Sequence, residues 1–122
     1  EGAQQTERRT GVPMVRVRAA GGGSQSDQIL QVTADVFGLP VQRLHTHETA
    51  VVGAAIDAAV GLGLHPSFPA AVAAMTHVRQ EFAPNPAHVD LYRALYERVY
   101  LRMYDQLLPL FREIQQITGY PA

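Results

Sequence analysis

The residues best suited to chemistry in this chain are three that lack side chains, Gly21, Gly22 and Gly23. Without a Cβ, a glycine can turn through positive φ and lets a ligand come against bare backbone. Ser24 follows as a good helix N-cap, and Asp27, three residues on, completes an S-x-x-D capping box. A helix is therefore expected to open here, its first N–H groups directed back at the glycines. Those donors, aligned with the helix dipole, suit an anion such as a phosphate. Strand, glycine turn and helix also make an ordinary βα connection that holds nothing. The spacing fits neither G-x-G-x-x-G nor G-x-x-x-x-G-K-[ST], and no lysine occurs in the chain, which argues against the dinucleotide and P-loop readings.

Two further groups invite chemistry and carry less. His45-x-His47-Glu48 offers imidazole and carboxylate, good zinc ligands, but an i, i+2 pair in a loop lacks a third ligand, and polar residues at a helix N-terminus explain it as well. His65, His77 and His88 stand singly and read as surface or hydrogen-bonded histidines. Tyr92, Tyr96, Tyr100 and Tyr104 recur every four residues, along one ridge of a helix. Base stacking would need a basic groove beside them; a half-buried packing seam with wet hydroxyls does not. No serine or carboxylate pair has the spacing of a nucleophilic or acid–base set, so no catalytic residue is assigned.

The elements that must position the glycines read as a predominantly helical α/β arrangement. Val15, Val17 and Ala19 alternate with Arg16 and Arg18, the two-residue period of a strand over 15–20. After the loop, Ile29, Val32, Thr33 and Val36, with Leu30 and Phe37 beside them, recur at helical spacing until Gly38 stops the helix, which is expected to cover one face of the sheet. Residues 39–44 read as a brief strand at a sheet edge, with Pro40 at its entry. Residues 49–63 form a helix apolar nearly all round; such helices are normally buried, and Gly53-Ala54-Ala55 would let it approach another backbone closely. Pro66, Phe68 and Pro69 open a short helix to about residue 77, 78–82 is extended, and Pro84-Asn85-Pro86 breaks the chain. A long helix over 87–118 carries Leu91, Leu95, Val99, Met103 and Leu107 on one stripe, with a kink or break expected about a turn before Pro109.

At 122 residues the chain suffices for one domain. A hydrophobic content of 47% marks it as globular, and a net charge of −1 with scattered arginines gives no electrostatic case for nucleic acid. The absence of cysteine rules out disulfides and thiolate metal sites and fits a reducing cytoplasm. No signal peptide and no apolar run long enough to span a bilayer is present. Residues 1–9 read as the last turns of a helix cut off upstream, closed by Thr10-Gly11-Val12-Pro13, so a fragment is expected.

The ordered set formed by 15–20, Gly21-Gly22-Gly23-Ser24-Gln25-Ser26, residues 29–41, Glu48-Thr49 and Gly53-Ala54-Ala55 resembles the C-terminal end of the FGGY family of carbohydrate kinases, closer to its pentulose kinases than to its glycerol kinases. Tyr92-Arg93-Ala94-Leu95-Tyr96 and Tyr104-x-x-Leu107-x-Pro109-Leu110-Phe111 are similar to the family's closing helix, and the resemblance covers nearly all of the chain. It implies the actin-like ATPase fold, in which two ribonuclease-H-like domains close on a nucleotide and a sugar. It also implies that Gly21, Gly22 and Gly23 touch the phosphates and ribose of ATP. Ser26 falls where many members place an asparagine near the adenine and offers a shorter hydroxyl there.

The same resemblance places the sugar site and the catalytic aspartate upstream, in segments with no match here; residues 1–122 then belong to the nucleotide-binding domain, without the sugar-binding one. The implied chemistry is transfer of the γ-phosphoryl group of ATP to a sugar hydroxyl, with an aspartate base and Mg²⁺. This chain alone is expected to be inactive. A non-enzymatic interaction or assembly module of the same ancestry is the competing reading. In either case the apolar surface left by a missing partner favours self-association, so a homodimer would not discriminate.

Overall fold

The computed structural model describes residues 2–120. Glu1, which the sequence reading includes in the first helix, lies outside the described residues; the rest of that piece forms α1 (Gly2–Thr10). The central unit is a βαβ arrangement. β1 (Val17–Ala19) runs into the glycine loop, α2 (Asp27–Phe37) follows, and β2 (Val41–Leu44) returns parallel to β1, with Val17 opposite Val41 and Ala19 opposite Arg43. A parallel return needs such a crossover. β3 (Val78–Phe82) then pairs antiparallel with β2, placing Phe82 opposite Val41 and Glu81 opposite Gln42.

The sheet order β1-β2-β3 makes β2 the middle strand, which corrects the expected edge position. Pro40 does no harm because it stands one residue before the ladder, and its carbonyl accepts from the Val17 amide at 2.9 Å. β1 is also shorter than expected: Val15 precedes it and is exposed.

Alternation along the strands sorts the residues into two rows. Val17, Val41 and Phe82 lie in one, and with Leu30 and Ala34 of α2 they make the core. Arg18, Gln42 and Glu81 lie in the other: Arg18 Nε donates to Gln42 Oε1 at 3.4 Å and Gln42 Nε2 donates to Glu81 Oε2 at 2.7 Å. α2 does cover one face, but with Leu30 and Ala34, one turn apart, and not with the Ile29, Val32 and Val36 stripe, which is exposed. Gly38 ends α2 as expected, in the left-handed region at φ 63°.

Asp35 is buried to 2% exposure on the same helix and is fully bonded. Its Oδ1 accepts from the Asn85 amide at 2.8 Å and from Gln31 Nε2 at 2.9 Å, and its Oδ2 receives His88 Nδ1 at 2.8 Å. The Asn85 amide, above all, holds the carboxyl below the ordinary carboxylate range; His88 and Gln31 pull the same way, and desolvation pulls against them. Asn85 and His88 belong to the start of α5 (Pro86–Leu95), whose cap is Asn85 itself, so this carboxylate seats α5 on α2.

The helices outside this unit depart most from expectation. α3 (Thr49–Gly61) packs on α4 (Phe68–Met75) yet buries only Ile56 and Ala59, and a Cβ built on Gly53 would meet nothing. The buried helix and the close backbone approach expected there are not made among the described residues. The long terminal helix is interrupted, but not near Pro109. A π turn at Tyr96–Tyr100 separates α5 from α6 (Leu101–Thr118), with the Leu101 amide reaching Tyr96 O, and α6 runs through Pro109. Tyr96 stacks on Tyr100 at 5.6 Å, whereas Tyr104 approaches Phe111. No helix is long and apolar enough to cross a membrane among the described residues.

Candidate functional site

Both parallel strands point their carboxyl ends at one place, where α/β sheets usually hold ligands. The loop after β1 and the loop after β2 meet there, joined by a hydrogen bond from the Gly21 amide to His47 O at 3.1 Å. Between them opens a polar cavity of about 190 Å³, lined by Ser24 and Gln25 of the first loop, by His45, Thr46 and His47 of the second, and by Arg43, Leu44 and Arg79 of the strands.

The three glycines do different work. Gly21 turns the chain at φ 75°, ψ −176°, a combination open in practice only to glycine. Gly22 and Gly23 do not have positive φ; they open a 3₁₀ turn, Gly22–Gln25, so the expectation that all three turn through the left-handed region holds for one. All three are exposed, and a Cβ built on any of them meets nothing within 4 Å. Among the described residues no hydrogen bond engages the Gly22 or Gly23 amide. Bare backbone with unpaired amides thus stands exposed next to Ser24 and Gln25, which line the cavity.

The capping serine is not the one expected. Ser24 is buried inside the 3₁₀ turn and its hydroxyl donates to Gly21 O at 2.7 Å. Ser26 is the N-cap of α2: its Oγ accepts from the Ile29 amide at 3.4 Å and donates to Gln28 Oε1 at 3.1 Å. The extra turn made by Gly22 and Gly23 delays the helix start past Ser24. Ser26 stays in the loop with the glycines, its hydroxyl engaged in the cap.

Arg43 is the residue that sequence reasoning missed. From the middle strand its guanidinium lies 5.2 Å from the Phe82 ring centre and reaches the loop with every nitrogen engaged. Nε donates to Ser24 O at 2.7 Å, Nη2 to Asp27 Oδ1 at 2.6 Å and Nη1 to Gln80 Oε1 at 3.0 Å. No spacing rule links residues 24, 27, 43 and 80; the register of three elements brings them together.

The other candidates separate. His45 stacks on His77 at 4.5 Å, and His47 pairs with Glu48 at 3.1 Å. No group of three or more histidine, aspartate or glutamate residues that could hold a metal ion occurs among the described residues. Tyr92, Tyr96 and Tyr100 line a larger, mostly apolar groove of about 790 Å³ between α1, the end of α2 and the terminal helices, away from the glycine loop. Tyr92 and Tyr96 are half-buried there; Tyr100 and Tyr104 are exposed.

Comparison with known proteins gives this geometry its context. Residues 1–62 match the model of the FGGY family of carbohydrate kinases, C-terminal domain. A xylulose kinase of Staphylococcus epidermidis is 38% identical over 112 residues, 92% of this chain and 22% of that protein. An uncharacterized sugar kinase of Escherichia coli, YgcE, is 42% identical over 80 residues, 66% of this chain and 16% of that protein. The crystal structure of xylulose kinase from Rhodospirillum rubrum superposes with a TM-score of 0.70 at 31% identity, covering 89% of this chain and 22% of that one. A ligand-bound xylulose kinase from Lactobacillus acidophilus, at TM-score 0.60 and 22% identity, shares the fold. The expected fold class stands: a largely helical α/β part of the actin-like ATPase architecture. The chain thus spans between 16% and 22% of the length of these relatives, and by its matched domain and these identities it belongs to the FGGY family of carbohydrate kinases.

Proposed function

We propose that this chain forms the nucleotide-facing part of an ATP-dependent kinase that transfers the γ-phosphoryl group of ATP to a hydroxyl of a sugar, a pentulose first among the candidates. The observation that carries the reading is the loop itself: an exposed glycine run at the carboxyl end of two parallel strands, with the Gly22 and Gly23 amides unpaired and empty space where side chains would be. Kinship with xylulose kinases supports the sugar acceptor, and favours the kinase over a non-enzymatic module.

In this reading Gly21, Gly22 and Gly23 lay their backbone along the phosphates and ribose of ATP, and Ser26, at the head of α2, stands towards the adenine. Phosphoryl transfer is mostly positioning and charge stabilisation, so a wall that fixes the nucleotide contributes to rate without supplying a reacting group. This chain contributes no catalytic residue; the base and the sugar site belong to other sequence. Any Mg²⁺ would reach this part of the site with its nucleotide, since the described residues bring together no group of three or more ligating side chains.

The test is titration of the full-length protein with ATP, followed by amide exchange and paired with Gly23→Val. A Cβ at 23 has open space around it, so valine puts its bulk where a nucleotide would lie, and circular dichroism checks that the variant is folded. Protection at residues 21–23 and a loss of ATP affinity of about tenfold or more are expected. Protection confined to other segments, or unchanged affinity in the folded variant, would sink the assignment.

A further inference from the structure

Arg43 sits beside the loop with a positive charge, and the simplest role for such a residue would be to hold a phosphate. Its geometry argues otherwise. The side chain is only 12% exposed, its three nitrogens each already serve a protein acceptor, and its charge is matched by Asp27 at 2.6 Å. A guanidinium so engaged has little left to offer an anion, but a fork of rigid donors is well suited to fixing several acceptors relative to one another.

The acceptors it fixes matter. Ser24 O belongs to the 3₁₀ turn that Gly22 opens, and Asp27 is the first residue of α2. The anchor is the middle strand: residue 43 is held in register between Ala19 on β1 and Gln80 on β3, and the ring of Phe82 supports the guanidinium. The two ends of the stretch from Gly21 to Asp27 are therefore tied down by different bonds, the first to the loop after β2 through Gly21 N to His47 O and the second to the middle strand through Arg43. Glycine-rich backbone is the most mobile kind, and an exposed loop with free amides binds tightly only when its shape is set in advance.

We propose that Arg43 is a positioning residue of the nucleotide loop: it clamps the Ser24 carbonyl and the head of α2 to the central strand, holding the Gly22 and Gly23 amides ready for the phosphates without touching them. The inference rests on the nucleotide reading of the loop given above.

Arg43→Lys and Arg43→Met in the full-length protein test it, with Gly23→Val as the control on the loop itself. Lysine keeps the charge and loses the fork, and methionine keeps much of the stem over Phe82 with no donor, so the two probe the clamp in different ways, and circular dichroism reads the fold of each. ATP titrations read the dissociation constant and the fraction of competent molecules separately, and amide exchange reads residues 22–27. Both variants are expected to raise the dissociation constant about tenfold, the worth of one charge-assisted hydrogen bond, with stoichiometry kept and exchange at 22–27 accelerated. Lysine should not rescue, because the fork and not the charge is needed. A reduced competent fraction at unchanged dissociation constant would make Arg43 a merely structural residue and overturn the proposal, as would full rescue by lysine. If Gly23→Val abolishes binding while both Arg43 variants bind like the parent, the clamp fails alone; if Gly23→Val binds normally, the nucleotide reading falls and the clamp with it.

Discussion

α2 and α3 are the two helices that follow the parallel strands, and they invite comparison because the more apolar of them is the less buried. α3 is made almost wholly of alanine, valine, glycine and isoleucine, yet hides only Ile56 and Ala59 and leaves Val51 exposed at 64%. α2 carries glutamines, a threonine and two aspartates, and it buries Leu30, Ala34 and Asp35 completely or nearly so. What separates them is what each finds opposite. α2 meets Val41 and Phe82 on the sheet and Asn85 and His88 on α5, whereas α3 meets α4, itself short and mostly exposed. Hydrophobicity is a demand for burial; only a complementary surface meets it.

Substitution can break this contrast, and the largest effect should come from the core. Leu30→Ala is expected to cost about 2–5 kcal/mol in chemical denaturation, while Val51→Ala on α3 stays within about 0.5 kcal/mol. Equal losses would mean that α3 is covered in solution and that the two helices differ less than their surroundings suggest. Next comes the loop that feeds α2: Gly21→Ala forces a side chain into a region kept for glycine and should cost about 1–3 kcal/mol in the same measurement, with Gly22→Ala close to neutral. Matching costs at 21 and 22 would refute the division of labour drawn between those glycines.

The smallest and most specific effect concerns pH. Asp35 titrates below the ordinary carboxylate range in the folded chain, chiefly because the Asn85 amide donates to its ionised form. The unfolded chain therefore takes up this proton at higher pH than the folded one does. The stability Asp35 provides is complete above the unfolded value, near 3.8, and is lost as pH falls through the lower folded value. Thermal melts between neutral and acid pH should show a steeper acid loss for the parent than for Asp35→Asn. Parallel curves would remove the carboxylate from the account of how α5 is seated.

Local signals in the sequence were sound guides, and non-local ones were out of reach. The stop at Gly38, the extended 78–82 segment and the break at Pro84-Asn85-Pro86 all depend on a few neighbouring residues, and each is found where expected. Ser24 was a fair N-cap by spacing; a 3₁₀ turn built from Gly22 and Gly23 shifted the duty to Ser26, since glycines follow either path at low cost. On α2 the bulkier stripe of Ile29, Val32 and Val36 points to the wrong face, because contact with a sheet row favours Leu30 and the small Ala34. Pro40 suggested an edge because a proline inside a central strand lacks a ladder donor, and one residue's displacement removes that objection. Arg43 and the Asp35–His88 pair had no local mark at all. The first depends on strand register and the second on a fold-back spanning 53 positions.

Gly38 does more than end a helix. A Cβ built there would lie 3.3 Å from a methyl of Val89, so the residue that ends α2 is also the spot on which α5 leans. With the carboxylate three positions earlier gripping His88, the heading of the terminal helices is decided at two neighbouring points near their root. α6 alone extends about 27 Å at 1.5 Å per residue. Over such a reach a tilt of a few degrees at the root sweeps the tip across more than an ångström, which makes this small joint the aiming device for everything beyond the π turn.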